Sequence, residues 1–475
     1  MLNIVDEIFR NADSAALALV AGERQVRYGE LKSLMEEAAA QLGDRSGQRI
    51  GLHCPNGVNH IVWSLAVLRS GGVLVPVAGE LSLPERDNVV NTTALHAILL
   101  AGGKEWHDGT LPRRDLPLAD LPAVLHEIPE PAKPGFDEAK LAAVNPALIR
   151  FSSGTTGKRK GVVLSHETLL ARVKACNEGL KIGPGDRVIW TLPMAHHFAV
   201  SIVLYLLHGA TTVLEDSHLA ADVYGALTKH GGTVLYGSPF HYALLAGYEP
   251  GERCPSLRLA VATAAALPKA VAEKFYARYQ LPLVQGMGII EVGLPLLNLA
   301  HPLDKPESVG RCQPAFEARI VNESEATGEL QIRGPGIFDA YLSPWTPRDE
   351  VLKDSWFATG DLARRDDDGS LYLVGRLHSV INVGGMKCFP EEIEEVLCRH
   401  AGVAEARVMA MAHPAFGSVP IAEIVPKDAA APPRGMELTT LCRQELSSYK
   451  VPMRFTMVAS IPKTPSGKIL RQVQS

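Results

Sequence analysis

The sequence predicts a protein of the α/β and α+β classes: a large N-terminal domain of layered α/β subdomains with a small β-rich subdomain, and a small α+β C-terminal domain. Three observations support this. Helix and strand patterns alternate from residue 1 to about 300, which favours parallel-type sheets covered by helices. Short runs bounded by glycines and acids over 301–374 indicate small antiparallel strands. Near Gly375-Arg376 the pattern changes again, and the remaining hundred or so residues are enough for a separate domain.

The elements of the first part follow from the spacing of apolar residues. Residues 28–42 place their apolar side chains on one helical face, and 49–53 is a buried strand. Residues 62–72 predict a helix that ends at glycine, followed by a strand at 73–77. The segment 111–134 is rich in Pro, Asp and Leu without a clear period, so we predict a surface excursion there.

The later elements are predicted in the same way. They are helices at 167–180, 390–399 and 438–448, and strands at 187–192, 281–284, 329–333, 370–374, 406–412 and 420–425. The tail 461–470 is predicted to be a loop because two prolines and a glycine prevent a regular element. We therefore predict one domain over 1–376 and a second over 377–475.

Composition excludes several classes of protein. The chain has 475 residues, of which 46% are hydrophobic, and a formal net charge of −5, so it offers no basic field for nucleic acid. Its apolar runs are too short for a membrane span, and acids stand near the start where a signal peptide has cations. Seven scattered cysteines without a C-x-x-C pair indicate reduced thiols. These features predict a cytoplasmic enzyme, and they leave monomer and homodimer open.

The stretch 151–166, FSSGTTGKRKGVVLSH, interleaves glycines with hydroxyl residues and then adds three cations. Glycine lets backbone N–H groups close on a ligand, and consecutive N–H groups form an anion-binding concavity. The stretch therefore predicts a polyphosphate cradle, with a plain polar loop between two strands as the alternative. It is not a Walker A loop, whose second glycine would fall at Arg159 or Val162.

Residues 152–161 resemble the signature of the adenylate-forming superfamily, [ST]-[ST]-G-[ST]-T-G-x-P-K-G, with Arg159 in place of the usual proline. Acyl-CoA synthetases, peptide-synthetase adenylation domains and luciferases belong to this superfamily, and the resemblance covers nearly the whole chain. It implies that the phosphates of ATP contact Ser152, Ser153, Gly154, Thr155, Thr156, Gly157 and Lys160.

The run Gln285–Glu291 resembles the family's x-G-[YW]-G-x-T-E, in which the glutamate binds Mg²⁺. The resemblance implies that Glu291 is the metal ligand, as suits a hard oxygen beside phosphates. Met287 stands where an aromatic ring usually stacks on adenine, and Ile290 stands where a threonine usually faces the adenylate. A dinucleotide fingerprint is the rival interpretation, but Glu291 occupies its third glycine position and would repel a pyrophosphate.

The remaining nucleotide and substrate contacts are implied by the same resemblance. Thr359-Gly360-Asp361, predicted to stand at a strand end, resembles the family's ribose-binding [ST]-G-D, and His196 matches a histidine between the carboxylate and the pantetheine tunnel. The implied adenine and ribose contacts are Ala264, Ala265, Gly286, Met287, Asp361 and Arg376. The implied acyl-pocket residues are His197, Phe198, Tyr236, Phe240 and Gly288. Without the other motifs, these aromatic residues would be assigned to the core and His196 to a structural role.

The small C-terminal domain is implied to be mobile. Pro465-Ser466-Gly467-Lys468 resembles the tail that carries the catalytic adenylation lysine, here Lys468. His378, two residues after Arg376, stands at the family's hinge, and Gly384-Gly385 matches the turn beside pantetheine.

These resemblances predict an ATP-dependent carboxylic acid–thiol ligase that uses Mg²⁺. A small-molecule acid, aryl or fatty, becomes an acyl-adenylate and then a thioester of coenzyme A. A stand-alone ligase that loads the phosphopantetheine of an acyl carrier protein is one alternative. A non-catalytic nucleotide-binding member of the fold is the other, motivated by Arg159, Met287 and Ile290. Nothing supports a luciferase-like oxidation.

Overall fold

The structure is a computed structural model that describes residues 1–106, 108–151, 160–251, 253–324, 327–376 and 381–462. The described residues form two compact units. The larger unit takes in 1–79, 89–151 and 161–375, and the smaller unit takes in 80–88, 160 and 376–462.

Helices occur throughout the chain. They are α1 (Ile4–Arg10), α2 (Tyr28–Leu42), α3 (Val58–Arg69), α4 (Leu83–Thr93), α5 (Glu138–Ala143), α6 (His166–Leu180), α7 (Met194–His197), α8 (Val203–Leu207), α9 (Ala220–Lys229), α10 (Pro239–Gly247), α11 (Lys269–Tyr279), α12 (Arg348–Val351), α13 (Pro390–Cys398) and α14 (Gly435–Glu445). A π-helical turn, Phe198–Ile202, joins α7 to α8.

The strands alternate with these helices in the first part of the chain and follow one another later. They are β1 (Leu17–Ala21), β2 (Arg24–Arg27), β3 (Arg49–His53), β4 (Val73–Pro76), β5 (Ala97–Ala101), β6 (Arg113–Leu116), β7 (Ala123–Glu127), β8 (Pro146–Phe151), β9 (Gly161–Ser165), β10 (Arg187–Trp190), β11 (Thr211–Leu214), β12 (Val234–Gly237), β13 (Leu259–Ala262), β14 (Leu283–Ile289), β15 (Gly293–Leu297), β16 (Arg311–Cys312), β17 (Glu317–Ser324), β18 (Thr327–Arg333), β19 (Ala340–Tyr341), β20 (Thr346–Pro347), β21 (Phe357–Arg365), β22 (Leu371–Arg376), β23 (Ile381–Val383), β24 (Met386–Cys388), β25 (Val403–His413), β26 (Gly417–Pro426) and β27 (Phe455–Met457).

Two large mixed sheets organise the larger unit. The first has the order β20-β19-β9-β8-β4-β3-β5-β7-β6 and is parallel from β8 to β5. The second has the order β16-β15-β14-β13-β12-β10-β11-β1-β2 and is parallel from β14 to β1. Several strands of these sheets, such as β3, β5 and β13, are buried along their whole length, which is typical of parallel strands in α/β proteins.

A third sheet, β17-β18-β21-β22, is antiparallel and corresponds to the predicted small β-rich subdomain. The registers around Leu330 shift, so that Thr359, Gly360 and Asp361 of β21 face a single residue of β18. Gly360 has φ +71°, which an irregularity of this kind favours because glycine adopts positive φ without strain.

The smaller unit has its own sheet, β24-β23-β26-β25, to which β27 adds in parallel beside β26. Helices α13 and α14 cover it, and its apolar core includes Ile393, Val408 and Leu438. Lys450 is fully buried in this unit and donates to Glu392 at 2.9 Å and to Glu85 of the 80–88 segment. A buried ammonium requires such carboxylate partners.

The structure corrects two sequence-based expectations. Segment 111–134 contains β6 and β7, which extend the first sheet beside β5, and is not an excursion without regular structure. The strand predicted at 281–284 continues to Ile289, because Gly286 and Met287 pair with β15. Within the part of the chain that the structure describes, no helix combines the length and apolar character that crossing a membrane requires.

Burial lowers the pKa of three histidines of the larger unit, His60, His166 and His241, to about 4 each. His166 accepts a hydrogen bond from the Ile4 backbone N–H at 3.2 Å and so holds α1 to the start of α6. A histidine with a lowered folded-state pKa stays neutral while the unfolded chain takes up a proton. Its contribution to stability is therefore complete above pH 6.5 and is lost as the pH falls toward 4.

We expect the free energy of unfolding to decrease between pH 7 and pH 5, by about 2 kcal/mol for each such histidine. His166→Gln keeps an acceptor for the Ile4 N–H and removes the titrating group. Urea unfolding at both pH values should show a decrease that is smaller by about 2 kcal/mol in this variant. An equal decrease in His166→Gln and the unsubstituted protein would contradict this account.

Candidate active site

The carboxyl ends of four neighbouring parallel strands, β10, β12, β13 and β14, lie at the same edge of the second sheet. Their registers are aligned, since Trp190 pairs with Tyr236, Tyr236 with Val261, and Ala262 with Gln285. Ligands bind at such edges in open α/β sheets. The predicted site residues that follow these strands are His196, His197, Tyr236, Phe240, Ala264, Ala265, Gly286, Met287, Gly288 and Glu291, and the fold thus brings them to one edge.

Glu291 lies in the turn Ile290–Val292 between β14 and β15. Its backbone carbonyl accepts hydrogen bonds from Phe338 N–H at 2.8 Å and from the Arg172 guanidinium at 3.0 Å. Its side chain is only partly buried, and its Oε1 lies 3.5 Å from the Tyr341 hydroxyl. Hydrogen bonds to the Glu291 carbonyl thus hold the main chain of this turn, while the Glu291 side chain remains partly exposed.

A carboxylate in this setting fits Mg²⁺. The described residues contain no group of three or more His, Cys, Asp and Glu side chains that could hold a metal by themselves. Mg²⁺ that accompanies a nucleotide is bound through one or two carboxylates together with phosphates and water. Burial and the nearby Glu291 carboxylate raise the pKa of Tyr341 well above its ordinary value, so its hydroxyl stays a neutral donor to Glu291.

Arg172 of α6 is fully buried, and burial lowers its pKa to about 10. Its guanidinium donates to the carbonyls of Ile290 at 2.6 Å, of Glu291 at 3.0 Å and of Gly336 at 2.7 and 2.9 Å. A buried guanidinium is tolerated when its N–H groups are hydrogen-bonded in this way. Arg172 therefore connects α6, the helix after β9, to the turn that carries Glu291.

The predicted adenine-side residues follow β13 or belong to β14. Ala264 has φ +70°, an uncommon conformation for a residue with a side chain, and such strain is concentrated at functional sites. Ala265 is next to it and is partly buried. Gly286 is tightly packed, since a Cβ there would lie 2.9 Å from Leu297. Met287 is buried, with 6% of its surface exposed.

Aromatic rings surround Trp190 at the end of β10. Tyr236 stacks on Trp190 at 5.7 Å between ring centroids, and His197 contacts it edge-on at 5.7 Å. His196 is partly buried, and its carbonyl accepts a hydrogen bond from Arg150 of β8. Three predicted site residues thus lie on or beside one aromatic cluster.

The other predicted acyl-pocket residues have different surroundings. Phe198 is 1% exposed and packs in the main core against His60, at 5.9 Å. Phe240 is partly buried on α10 and contacts His241 edge-on, and Gly288 is exposed on β14. A cavity of about 120 Å³ is lined by Trp190 together with Met194, Leu214, Glu215 and Asp216, and by none of the predicted acyl-pocket residues.

The predicted ribose contacts lie in the third sheet. Asp361 is buried in the irregular segment of β21, where its backbone N–H donates to Thr359 Oγ1 at 3.1 Å. Sequence reasoning places the Thr359–Asp361 run at a strand end, and the structure corrects this, because the strand continues to Arg365. Arg376 is the last residue of β22.

Gly384 and Gly385 form the two-residue turn between β23 and β24 in the smaller unit. Their φ angles are +60° and +97°, the signs that a type I′ hairpin turn needs at both positions. Gly385 N–H donates to Asn382 Oδ1 at 2.8 Å, and Gly384 N–H donates to the carbonyl of Phe416 at 2.8 Å. The turn is therefore fixed by its own unit.

Several predicted residues lie outside the described residues: Ser152, Ser153, Gly154, Thr155, Thr156, Gly157, His378 and Lys468. The strands that flank the predicted phosphate loop are described. They are β8 and β9, which pair antiparallel with Phe151 opposite Gly161. Lys160 immediately precedes β9.

Sequence reasoning missed Arg172 and Tyr341. Arg172 has a recognisable signal, because it occupies the stripe of α6 that also contains the buried Leu169, Val173 and Cys176. A single cation on a buried helical face must find partners. Tyr341 has no signal of this kind, because its neighbour Glu291 is 50 residues away in sequence.

Comparison with known proteins identifies the family of this chain. The chain matches the family model of the AMP-binding enzyme over residues 8–342 and that of the AMP-binding enzyme C-terminal domain over residues 392–468. The fold and site define a nucleotide-dependent acid-activating enzyme. The chain belongs to the AMP-binding enzyme family of the adenylate-forming superfamily, which confirms the resemblance seen in its sequence.

Curated relatives indicate the class of enzyme, and a solved structure shares the fold. A sulfoacetate–CoA ligase of Cupriavidus necator is 31% identical over 91% of this chain and 88% of its own length. A feruloyl-CoA synthase of an Amycolatopsis species is 30% identical over 96% and 94%. An o-succinylbenzoate CoA synthetase double mutant of Bacillus subtilis superposes with a TM-score of 0.85 at 24% identity, over 99% and 98% of the two chains. The chain is an AMP-forming acid–thiol ligase.

Proposed function

We propose that this enzyme activates an aromatic carboxylic acid as an acyl-adenylate and transfers the acyl group to the thiol of coenzyme A. The observation that carries the proposal is the convergence of Glu291, the strained Ala264 and the Trp190 aromatic cluster at the carboxyl edge of one sheet. Asp361, Arg376, Lys468 and the loop 152–157 are proposed nucleotide contacts on the strength of their motifs.

In the first half-reaction, the substrate carboxylate attacks the α-phosphorus of ATP, and pyrophosphate leaves. When bound through Glu291, Mg²⁺ would neutralise phosphate charge at this site. The chain's own contribution is to hold Glu291 at the strand end, to place His196 beside the substrate carboxylate, and to supply the Lys468 ammonium as a point charge. In the second half-reaction, a thiol displaces AMP from the adenylate, and we propose that Gly384-Gly385 lies beside that thiol's pantetheine arm.

Aromatic rings support the choice of acid. Trp190 and Tyr236 are stacked nearly parallel, with 18° between their planes, and His197 adds a polar edge to the same cluster. Trp190 and Tyr236 are buried, with 1% and 6% of their surfaces exposed, so a planar acid would contact this cluster at its edge, beside the partly buried His197. Feruloyl-CoA synthase, one of the relatives at 30% identity, acts on an acid of the planar kind by its name.

The experiment that tests the proposal is a pyrophosphate-release screen with Mg-ATP. The acid panel contains benzoates, cinnamates, medium and long fatty acids, sulfoacetate and malonate, and each reaction is run with CoA, with a holo acyl carrier protein and with neither. We expect the fastest release with an aromatic acid and an acyl-CoA product by mass spectrometry. Thioester formed only on the carrier protein would favour the carrier-loading alternative, and no release with any acid would contradict the ligase activity.

The role of His197 gives a separate prediction. His197→Ala removes the polar edge on Trp190 without touching a nucleotide motif. We expect the ranking of acids by kcat/KM to change by about tenfold between members of the panel, as loss of one or two contacts does, with the KM for ATP unchanged. An unchanged acid profile would place His197 outside the pocket.

A domain boundary between 376 and 377, with a hinge at His378, is also proposed. Limited proteolysis should cut the chain first near residues 376–378 if they form an exposed linker. A first cut elsewhere would move the boundary.

A further inference from the structure

Arg172 is a buried cation whose hydrogen bonds all go to neutral groups. Among the described residues its partners are the carbonyls of Ile290, Glu291 and Gly336, at 2.6 to 3.0 Å, and no carboxylate lies within ion-pair distance. A guanidinium in an apolar interior is costly, and an aliphatic side chain would fill the same space without that cost. The hydrogen bonds therefore favour one particular course of the Ile290–Glu291 main chain.

Two glycines allow close packing around Arg172. Gly293 and Gly336 have φ of +106° and +71° and pack directly on this arginine. A Cβ at Gly336 would lie 2.5 Å from Arg172 Cα, and a Cβ at Gly293 would lie 2.9 Å from Arg172 Cγ. Gly293 thus lets the arginine side chain approach the backbone just after the Glu291 turn, and Gly336 lets the loop before β19 approach the main chain of α6 at Arg172.

A second residue, Tyr341, contacts the side chain of Glu291, whereas Arg172 contacts its main chain. Tyr341, on β19 of the first sheet, places its hydroxyl 3.5 Å from Glu291 Oε1. Three residues before it, Phe338 donates its N–H to the Glu291 carbonyl at 2.8 Å. The main chain and the carboxylate of Glu291 are therefore held by different elements.

We propose that Arg172 and Tyr341 are positioning residues that together fix the Glu291 carboxylate for the divalent cation that accompanies ATP. This inference rests on the proposed function of Glu291. Groups that orient a metal ligand affect metal affinity although they do not touch the metal, and their loss costs 10- to 100-fold in affinity or activity. A purely structural role would instead lower stability without a specific effect on the cation.

Two conservative variants test the two contacts. Arg172→Lys keeps the charge but not the fork of donors, and Tyr341→Phe removes only the hydroxyl. We expect each to raise the apparent KM for Mg²⁺ in ATP–pyrophosphate exchange by about tenfold. The rate at saturating Mg²⁺ should be largely restored, and the KM for the acid should not change. Calorimetric titration of ATP over the same Mg²⁺ series provides a measurement that does not require turnover.

Matched controls come from the same unit. Arg49 is also buried, at 3% exposure, and donates to the Ala94 carbonyl at 3.1 Å and to Glu138 at 2.8 Å. Tyr28 is buried and donates its hydroxyl to the Ala210 carbonyl at 2.8 Å. Arg49→Lys and Tyr28→Phe should lower the melting temperature as much as the test variants do. The Mg²⁺ dependence of their pyrophosphate exchange should equal that of the unsubstituted protein.

Amide hydrogen exchange of the segment 286–294 provides a readout without nucleotide or metal. Arg172→Lys should accelerate exchange in this segment, and Arg49→Lys should not. Faster amide exchange with an unchanged Mg²⁺ dependence would overturn the proposal and leave Arg172 a structural anchor.

If Arg172→Lys does not fold, Tyr341→Phe decides, and an unchanged Mg²⁺ dependence of this variant would overturn the proposal. Absence of pyrophosphate exchange in the unsubstituted protein would count against the proposed function instead, and the Mg²⁺ dependence of ATP binding would then decide this inference.

Discussion

Glu291→Gln is expected to lower the rate of acyl-adenylate formation by about 10²- to 10³-fold, the usual cost of losing one charge-stabilising group in an active site. The variant keeps the shape of the side chain and an oxygen acceptor for the Tyr341 hydroxyl. It also keeps the backbone carbonyl to which Phe338 and Arg172 donate. What it loses is the negative charge, and a hard cation such as Mg²⁺ binds a neutral amide oxygen much less strongly than a carboxylate.

The measurement is ATP–pyrophosphate exchange as a function of Mg²⁺ concentration, with the best acid from the panel. The apparent Mg²⁺ requirement should rise together with the loss of rate. Glu317→Gln is a suitable control, because Glu317 is an exposed carboxylate that pairs with Arg333 at 2.6 Å on the third sheet. An exchange rate and Mg²⁺ dependence equal to those of the unsubstituted enzyme would show that the cation is held elsewhere.

Local sequence patterns predict most elements well and fail where pairing is non-local. Helix α2 begins and ends where the apolar spacing predicts, because Gly43 follows its last turn with φ +74°. The sequence does not predict strands β6 and β7, because their order comes from pairing with β5 and with each other and the segment has no clear apolar period. The extension of β14 to Ile289 depends in the same way on β15.

The candidate site shows the same difference between residues that a local motif predicts and contacts that depend on distant parts of the chain. A motif identifies Glu291 because the chemistry of the ligand demands that residue type at that position. Sequence cannot reveal that Arg172 and Tyr341 contact it, since the three residues lie on α6, a turn and β19, far apart in the chain. It also places Phe198 in the acyl pocket by adjacency to His197, whereas the π-helical turn that begins at Phe198 buries its ring against His60.

The C-terminal part of the chain carries two features that we expect to serve different half-reactions. The Gly384-Gly385 turn donates backbone hydrogen bonds to Asn382 Oδ1 and to the Phe416 carbonyl, and both of its φ angles are positive. Lys468 lies more than eighty residues later in sequence. We expect Lys468 and this turn to act in successive steps, with rotation near His378 bringing each into use in turn.

Lys468→Ala is therefore expected to slow acyl-adenylate formation by about 10²- to 10³-fold or more, because a charge-stabilising donor is lost. Given synthetic acyl-adenylate and CoA, the same variant should still form thioester. Gly385→Val should do the reverse: a β-branched side chain at φ +97° distorts the turn, so thioester formation fails while pyrophosphate release persists. His378→Pro should resemble Gly385→Val if the stiffened hinge holds the adenylation arrangement.

The control for backbone strain is Gly22→Val, since Gly22 follows β1 in a hairpin turn of the larger unit with φ +60° and has open space around it. Gly22→Val should lower the free energy of unfolding. It should not slow one half-reaction more than the other. Pyrophosphate release and thioester formation from synthetic adenylate are measured side by side, with circular dichroism to establish folding. If Lys468→Ala slows both half-reactions equally while the fold is intact, the lysine is a structural anchor, and the division of labour between Lys468 and Gly385 is wrong.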